Sequence, residues 1–180
     1  MKLKYKPLVL LFIVTFLSSC VNNLDFDQVN LDHTPIINAP LVFFEATQND
    51  FFDEVGSVEI SSISDISEFR LLQSSAVRDH ITFANVFFEI NNQFDRAFNV
   101  NVSFLDDNDA VTLTFTQFTV LPGDPSFELR EGISISNNPN FLNSTKIRVT
   151  VSIIPSAVTL DPDIPRIFRF KSSGVFFLRF

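Results

Sequence analysis

The acidic run from Asp106 to Asp109 is the place in this sequence where side chains most plainly could do chemistry. Three carboxylates, of Asp106, Asp107 and Asp109, lie within four residues, with Asn108 between them. Ca²⁺ is bound by several oxygen ligands from a short stretch of chain. The run lacks the alternating acidic order, the glycine and the distant glutamate of an EF-hand loop. Aspartate is also common in turns, so we predict a hairpin turn without a metal, and these three aspartates are the candidate ligands if one binds.

Catalytic groups are sparse in the rest of the chain. His33 and His80 are the only histidines, and no G-x-S-x-G sequence is present to place a serine nucleophile beside one of them. Four glycines in 180 residues provide no glycine-rich loop that could cradle a phosphate. The sequence therefore predicts a protein that is not an enzyme and that needs no cofactor.

The one cysteine, Cys20, ends a short apolar segment near the start of the chain. Lysines at positions 2, 4 and 6 precede a run of ten apolar or nearly apolar residues from Leu8 to Leu17. A membrane-spanning helix needs about 20 apolar residues, and Asn22 and Asn23 prevent any extension of this run. A basic start, a short apolar centre and small residues at its end are typical of a cleaved secretory signal. We therefore expect no transmembrane helix after processing.

The sequence Leu17-Ser18-Ser19-Cys20 resembles the lipobox of bacterial lipoprotein precursors. The resemblance implies that residues 1–19 are a cleaved lipoprotein signal peptide and that Cys20 carries a diacylglyceryl group and an N-acyl chain. Residues 20–35 would then be a lipidated N-terminus and tether. An ordinary signal peptide cut before Val21 is the alternative interpretation.

The residue after the cysteine bears on location. Many lipoproteins retained in the inner membrane have aspartate at that position, whereas this chain has Val21. The resemblance therefore implies an outer-membrane lipoprotein of the cell envelope, and whether it faces the periplasm or the surface stays open.

Charge narrows the range of partners. Removal of residues 1–19 takes away three lysines and no acid, which leaves ten Lys and Arg against 21 Asp and Glu, a formal charge of −11. Nucleic acids and anionic headgroups are bound through clusters of Lys and Arg, and the mature sequence has no such cluster. We predict no nucleic-acid partner and a membrane contact made through the lipid anchor.

The aromatic residues are almost all of one kind. The chain has 23 phenylalanines, no tryptophan and a single tyrosine, Tyr5, which lies in the predicted signal peptide. Sugar-binding modules usually stack their ligands on Trp or Tyr, and membrane-spanning barrels carry belts of the same two residues. Neither class is therefore favoured, and phenylalanine is expected in the core and in dry contacts.

Alternation of apolar and polar residues predicts strands along most of the chain. It is strictest at 147–153, 98–104 and 111–115, with a shift of the apolar positions that indicates a bulge near Thr116 and Gln117. Further strands are predicted at 40–47, 56–62, 68–73, 81–91, 126–136 and 166–180, and one helical turn at 138–144. Eight or nine strands at this spacing favour an all-β fold, a single antiparallel β-sandwich over residues 36–180 that is Ig-like in the broad sense.

Two further resemblances concern this region. The stretch FEINNQFDRAFNVNVSF is similar to the strand-Asn-strand pattern of late-embryogenesis-abundant and related Ig-like domains of exported proteins. The Phe-, Asn- and Asp-rich chain as a whole resembles small lipoproteins of Bacteroidota with an Ig-like β-sandwich. Neither resemblance implies an activity.

Four phenylalanine doublets, at 43–44, 51–52, 87–88 and 176–177, do not suit a simple sandwich. Adjacent residues of a strand point to opposite faces, so a doublet sends one ring inward and one outward. The outward ring must be covered by the chain itself or by another protein. The candidate residues of such a partner surface are Phe43, Phe44, Phe87, Phe88, Phe176 and Phe177.

These observations together predict a lipid-anchored envelope protein without catalytic activity. It would act as an accessory, scaffold or binding subunit with a protein partner in the envelope. The alternative is a carrier that holds an apolar ligand in a Phe-lined cavity.

Overall fold

The computed structural model of the protein describes residues 34–53, 58–161 and 163–180, which form nine β-strands joined by turns and short helices. The strands are β1 (Ile36–Thr47), β2 (Ser62–Glu68), β3 (Ile81–Asn92), β4 (Phe98–Leu105), β5 (Val111–Thr114), β6 (Phe118–Val120), β7 (Phe127–Ser134), β8 (Lys146–Ile153) and β9 (Ile167–Leu178). One turn of α-helix, α1, covers Ser75–Arg78, and 3₁₀ turns cover Gln48–Phe51, Leu71–Gln73 and Pro139–Asn143. In this part of the chain no helix is long and apolar enough to cross a bilayer.

The strands form two antiparallel sheets. The four-stranded sheet has the order β1-β9-β3-β7, and the five-stranded sheet has the order β2-β8-β4-β5, with β6 also paired to β4. From β1 to β4, and again from β6 to β9, consecutive strands alternate between the two sheets. That connectivity is the jelly roll of two Greek keys. The predicted antiparallel sandwich is thus confirmed, and its connectivity is that of the jelly roll rather than of the Ig fold.

Of the three stretches with the strictest alternation, two are the central strands β8 and β4 of the five-stranded sheet, and the third is its outer strand β5. In β8 the side chains of Ile147, Val149, Val151 and Ile153 are buried, while the residues between them are half-buried on the outer side. The predicted interruption near Thr116 and Gln117 is also confirmed. Both β5 and β6 pair with β4, and the gap between them covers residues 115–117.

The region before β3 differs from the prediction. Strands were predicted at 56–62 and 68–73, whereas the structure has one strand, β2, at Ser62–Glu68 and a 3₁₀ turn at Leu71–Gln73. Polar residues dominate β2 because it is an edge strand that pairs only with β8 among the described residues. Leu72 is buried, but it reaches the core from the 3₁₀ turn rather than from a strand. Residues 56 and 57 of the first predicted strand lie outside the described residues.

Phenylalanine rings fill the layer between the sheets. Phe98 of β4 contacts the rings of Phe51, Phe94 and Phe168 at centroid distances of 5.1 to 5.3 Å. A second cluster surrounds Phe104, which lies 4.9 Å from Phe141. Tilted and edge-on rings at these distances add favourable contacts beyond the area they bury. With one cysteine in the chain no intramolecular disulfide is possible, so this core carries the stability of the domain.

Candidate binding face

The outward-pointing side chains of the four-stranded sheet form a surface that we call the aromatic face. It is defined by alternate residues of β1, β9, β3 and β7, whose register places them in rows across the sheet. Its apolar members are Ile36, Pro40, Phe43, Phe83, Phe87, Ile167, Val175 and Phe177. The inward residues of the same strands belong to the core.

Three of the four doublets divide between the core and this face. Phe43 is 60% exposed, and Phe87 and Phe177 are half-buried on the same side of the sheet. Their neighbours point the other way: Phe88 and Phe176 are fully buried, and Phe44 packs against the core. The prediction of one inward and one outward ring is therefore confirmed for these doublets. It also corrects the candidate partner surface, because Phe44, Phe88 and Phe176 lie in the core and only Phe43, Phe87 and Phe177 are available to a partner.

The fourth doublet is placed differently because it does not lie in a strand. Phe51 ends a 3₁₀ turn and is completely buried, and Phe52 packs partly against the core. Neither ring belongs to the aromatic face.

Strand register adds two residues that the sequence prediction missed. Phe177 lies opposite Ile36 of β1 and Phe83 of β3, and the Phe83 and Phe177 rings are 6.0 Å apart. Phe83 shares its face with Phe87 because the two positions are four residues apart in one strand. The alternation within 81–91 could have identified Phe83, whereas the place of Ile36 depends on a pairing across the whole chain.

A groove crosses the centre of the aromatic face. It lies over β9, between Phe43 of β1 and Phe87 of β3, with Ser172 and Ser173 among its lining residues and a volume of about 380 Å³. Pro40 adds an apolar wall on the β1 side. Small residues on a central strand between large residues on its neighbours produce this shape, and an aromatic or aliphatic side chain of a partner would fit it.

The guanidinium of Arg130 covers part of the aromatic face. Its Cζ lies 5.4 Å from the centroid of the Phe87 ring, an attractive cation–π geometry. Its Nε donates a hydrogen bond of 3.1 Å to Asn85 Oδ1. Arg130 therefore accounts for the half-buried state of Phe87, while Phe43 keeps most of its surface.

The charges on the aromatic face balance one another. Three acidic side chains and three basic ones point outward there, namely Glu45, Glu89, Glu128, Arg130, Arg169 and Lys171. Arg169 Nε donates to Glu45 Oε2 at 2.9 Å. Over residues 34–180 the chain has eighteen Asp and Glu against ten Lys and Arg. The excess negative charge of this region therefore lies entirely outside the aromatic face.

The outer face of the five-stranded sheet has a different character. Serine, threonine and asparagine side chains bond to one another there, as in Thr119 Oγ1 to Asn99 Oδ1 at 2.8 Å and Ser103 Oγ with Thr114 Oγ1 at 2.8 Å. Ile66, 47% exposed, is a large apolar residue on that side. These polar groups already have partners in the chain, which leaves less for a protein partner to gain from this face.

The acidic run forms the predicted hairpin turn between β4 and β5. Asp106 Oδ1 accepts hydrogen bonds from the backbone N–H groups of Asn108 at 2.8 Å and Ala110 at 2.9 Å. Lys146 Nζ donates to Asp109 Oδ1 at 2.7 Å and to the Asp107 carbonyl oxygen at 3.1 Å. The Lys146 ammonium thus occupies the position that a cation would take between these oxygens. Its hydrogen bond and charge lower the pKa of Asp109, and the same bond raises the pKa of Lys146.

The other candidate residues are placed as follows. His80 Nδ1 lies 3.1 Å from the Ala76 carbonyl oxygen, and its ring stacks on Phe180 at 4.2 Å. These contacts give His80 a structural role between α1 and the end of the chain. Cys20 and His33 lie outside the described residues.

A buried cation that the sequence did not predict holds one end of the sandwich. Arg96 is 4% exposed and donates to the carbonyl oxygens of Ile154 at 3.0 Å and Val158 at 2.6 Å. Gln48 fixes the same connection, because its Nε2 donates to the Ile164 carbonyl oxygen at 2.6 Å. Both side chains donate their hydrogen bonds to backbone carbonyl oxygens of the β8–β9 connection, so we assign them a structural role.

Comparisons with known proteins show a likeness in fold but none in sequence. No protein-family model and no curated protein matches this sequence. A presumed secreted protein from Parabacteroides distasonis is similar in structure, with a TM-score of 0.50 and 12% identity over 64% of this chain and 38% of that one. The infectious bursal disease virus Gx strain structure gives a TM-score of 0.46 at 6% identity, over 82% of this chain and 33% of that one. The chain thus spans well under half the length of these proteins, and at such identity the likeness to the bacterial protein shows an all-β sandwich and no activity.

Proposed function

We propose that this protein is a non-catalytic, lipid-anchored module of the bacterial cell envelope that binds a protein partner through its aromatic face. The observation that carries the proposal is the difference between its two outer faces. One gathers Phe43, Phe83, Phe87 and Phe177 around a groove, and the other is a set of hydrogen-bonded serines, threonines and asparagines. Exposed apolar clusters with a polar rim are typical of protein interfaces.

The make-up of the aromatic face supports a protein partner in particular. Phenylalanine and arginine are enriched at the centres of protein interfaces. Phe43 and Phe87 line the two sides of the groove, and Arg130 packs on the Phe87 ring. The balanced charges remove the electrostatic barrier that the acidic remainder of the domain would raise against an acidic partner. A nucleic acid or an anionic headgroup would require a basic surface instead.

The sequence before the domain supports the anchor and the location. Residues 1–20 combine a basic start, a short apolar run and the lipobox-like Leu17-Ser18-Ser19-Cys20. Acylated at Cys20, the protein would be held at the outer membrane by residues 20–35. The fifteen residues 21–35 extend to roughly 50 Å at most, which lets the domain reach a partner beyond the headgroups.

The absence of catalysis is supported by where the perturbed groups lie. A catalytic site gathers titratable side chains with shifted pKa values in a cleft. The shifts at Asp109 and Lys146 belong instead to an exposed turn whose groups satisfy one another. The alternative of an apolar carrier has no observation in its favour, because inward rings such as Phe98 and Phe104 pack against one another.

Photocrosslinking in intact cells tests the proposal. A photoreactive phenylalanine analogue at position 43 is expected to give a light-dependent protein adduct, because Phe43 would lie in the interface. The matched control carries the analogue at Ile66, which is similarly exposed on the opposite outer face. Adducts of equal yield from both positions, or none from position 43, would exclude the aromatic face as the binding surface.

A further inference from the structure

We infer that the partner on the aromatic face is a second copy of this chain, joined face to face about a two-fold axis. The inference rests on the proposed function, since it names the partner of the same surface. Three properties of the aromatic face support it: its ridge and groove, its charge balance and its area.

The ridge and the groove lie side by side on one surface. Phe43 projects from β1, and the groove over β9 begins directly beside it. A two-fold axis brings the same patch of both copies together, so that residue i of one contacts residue j of the other and the reverse. In that arrangement each Phe43 enters the groove of the other copy, between Phe87 and Ser173. The two-fold arrangement thereby accounts both for the exposed Phe43 ring and for the small residues, Ser172 and Ser173, in the groove that would receive it.

The charge balance of the aromatic face makes this one surface on which two acidic copies can meet. Each copy has a net charge of −8 over residues 34–180, so two copies repel through most of their surfaces. On the aromatic face the three acids and three bases cancel. Arg169 is paired with Glu45, but Glu89, Glu128 and Lys171 form no ion pair with the described residues. Glu89 and Glu128 lie directly opposite each other across β3 and β7, and Lys171 of the same chain lies opposite Glu89 across β3 and β9. The face therefore carries its own positive charge beside these two acids, and two copies can meet there without a net repulsion.

The area agrees with a stable dimer. Neighbouring strands lie about 4.8 Å apart, so four strands make a face roughly 19 Å wide. Each residue of a strand adds about 3.3 Å, so twelve residues make it roughly 40 Å long. One copy would therefore bury on the order of 700 Å², close to the value of about 800 Å² per partner of ordinary specific interfaces. The strands β1, β9 and β3 have twelve residues each, and β7 has eight, which makes the face somewhat smaller than the full rectangle.

Crosslinking of the full-length protein in its own membrane tests the second copy. The variant Ser173→Cys, treated with a bismaleimide that spans about 10 Å, the usual separation of packed sheets, is expected to give a covalent dimer of twice the protomer mass. The matched control is Ser64→Cys, an exposed serine on the outer face of the other sheet. The unaltered chain, whose one cysteine has no free thiol once Cys20 is acylated at Sγ, is expected to give no dimer and sets the background. Adding Phe43→Ser to Ser173→Cys is expected to lower the dimer yield about tenfold, the effect of losing about 1.4 kcal/mol of binding.

The outcomes separate this inference from the proposed function. A dimer from Ser173→Cys that is absent from Ser64→Cys supports the second copy. No dimer from Ser173→Cys, together with an adduct at position 43 that contains a different protein, overturns the second copy and leaves the binding face in place. No adduct from either experiment overturns both.

Discussion

Cys20→Ala is expected to abolish lipid labelling of the protein completely, the largest effect of any single substitution in the chain. Cys20 is the only cysteine, and the proposed lipid is attached to its Sγ and its amino group. Each buried methylene contributes about 0.8 kcal/mol, so one acyl chain binds marginally and the two or more chains on Cys20 hold the protein firmly. Incorporation of radioactive palmitate, followed on gels, measures the loss.

The same substitution tests whether the lipid is the sole anchor. When a signal peptide for the ordinary signal peptidase replaces residues 1–19 of the Cys20→Ala variant, the whole protein should appear in the soluble fraction. The control is Ser19→Ala, which keeps a small residue before the cysteine and should retain both labelling and membrane attachment. Labelling that persists in Cys20→Ala, or full membrane retention of the released form, would contradict lipid anchoring.

Phe98→Ala is expected to lower the free energy of unfolding by about 3–5 kcal/mol, the usual cost of removing a buried aromatic ring. Phe98 has no exposed surface and contacts three other rings, so the cavity left behind cannot close easily. A domain of this size has about 5–15 kcal/mol in total, and no disulfide supplements it. Urea unfolding of the soluble Cys20→Ala form gives the value directly.

The matched control for the core is Phe43→Ala, the same chemical change on the aromatic face. We expect it to alter the free energy of unfolding by no more than about 0.5 kcal/mol, as is usual for exposed positions. A similar loss in both variants would mean that Phe43 supports the fold, and the argument that it is kept for a partner would fail.

The sequence predicted the fold class because the strands that fix it are half-buried and alternate. In β8, four buried aliphatic residues separate polar ones without exception. The pattern failed at β2, where an edge strand of serines with Ile63 and Ile66 carries almost no alternation of hydrophobicity. A strand of that kind is defined by its hydrogen bonds to β8, and composition does not show them.

The jelly-roll connectivity could not be predicted from periodicity. Alternation tells which residues of a strand point inward, but it does not tell which strand lies beside it. The pairing of β1 with β9 joins residues 36–47 to 167–177 across the chain. An Ig-like sandwich and a jelly roll therefore give the same local pattern.

The candidate site also divides into a part that local alternation predicts and a part that depends on strand pairing. The doublets correctly predicted that one ring of Phe43-Phe44 or Phe87-Phe88 would point outward, since strand geometry requires it. Only the register of β1, β9 and β3 shows that the outward rings lie on one face, beside a groove over Ser173. Lys146 likewise reaches the Asp106–Asp109 turn from a distant strand, a contact that the local sequence pattern does not show.

The most direct test of the central claim, that the aromatic face is covered by a protein in the envelope, is the rate at which a thiol there reacts. Cysteines at positions 43 and 66 replace side chains of similar exposure on opposite outer faces of the domain. In native membranes we predict that Phe43→Cys reacts with a maleimide about tenfold more slowly than Ile66→Cys, the protection of a site occupied nine-tenths of the time. After purification, dilution and removal of lipid the two rates should become equal. Equal rates in native membranes would contradict the account.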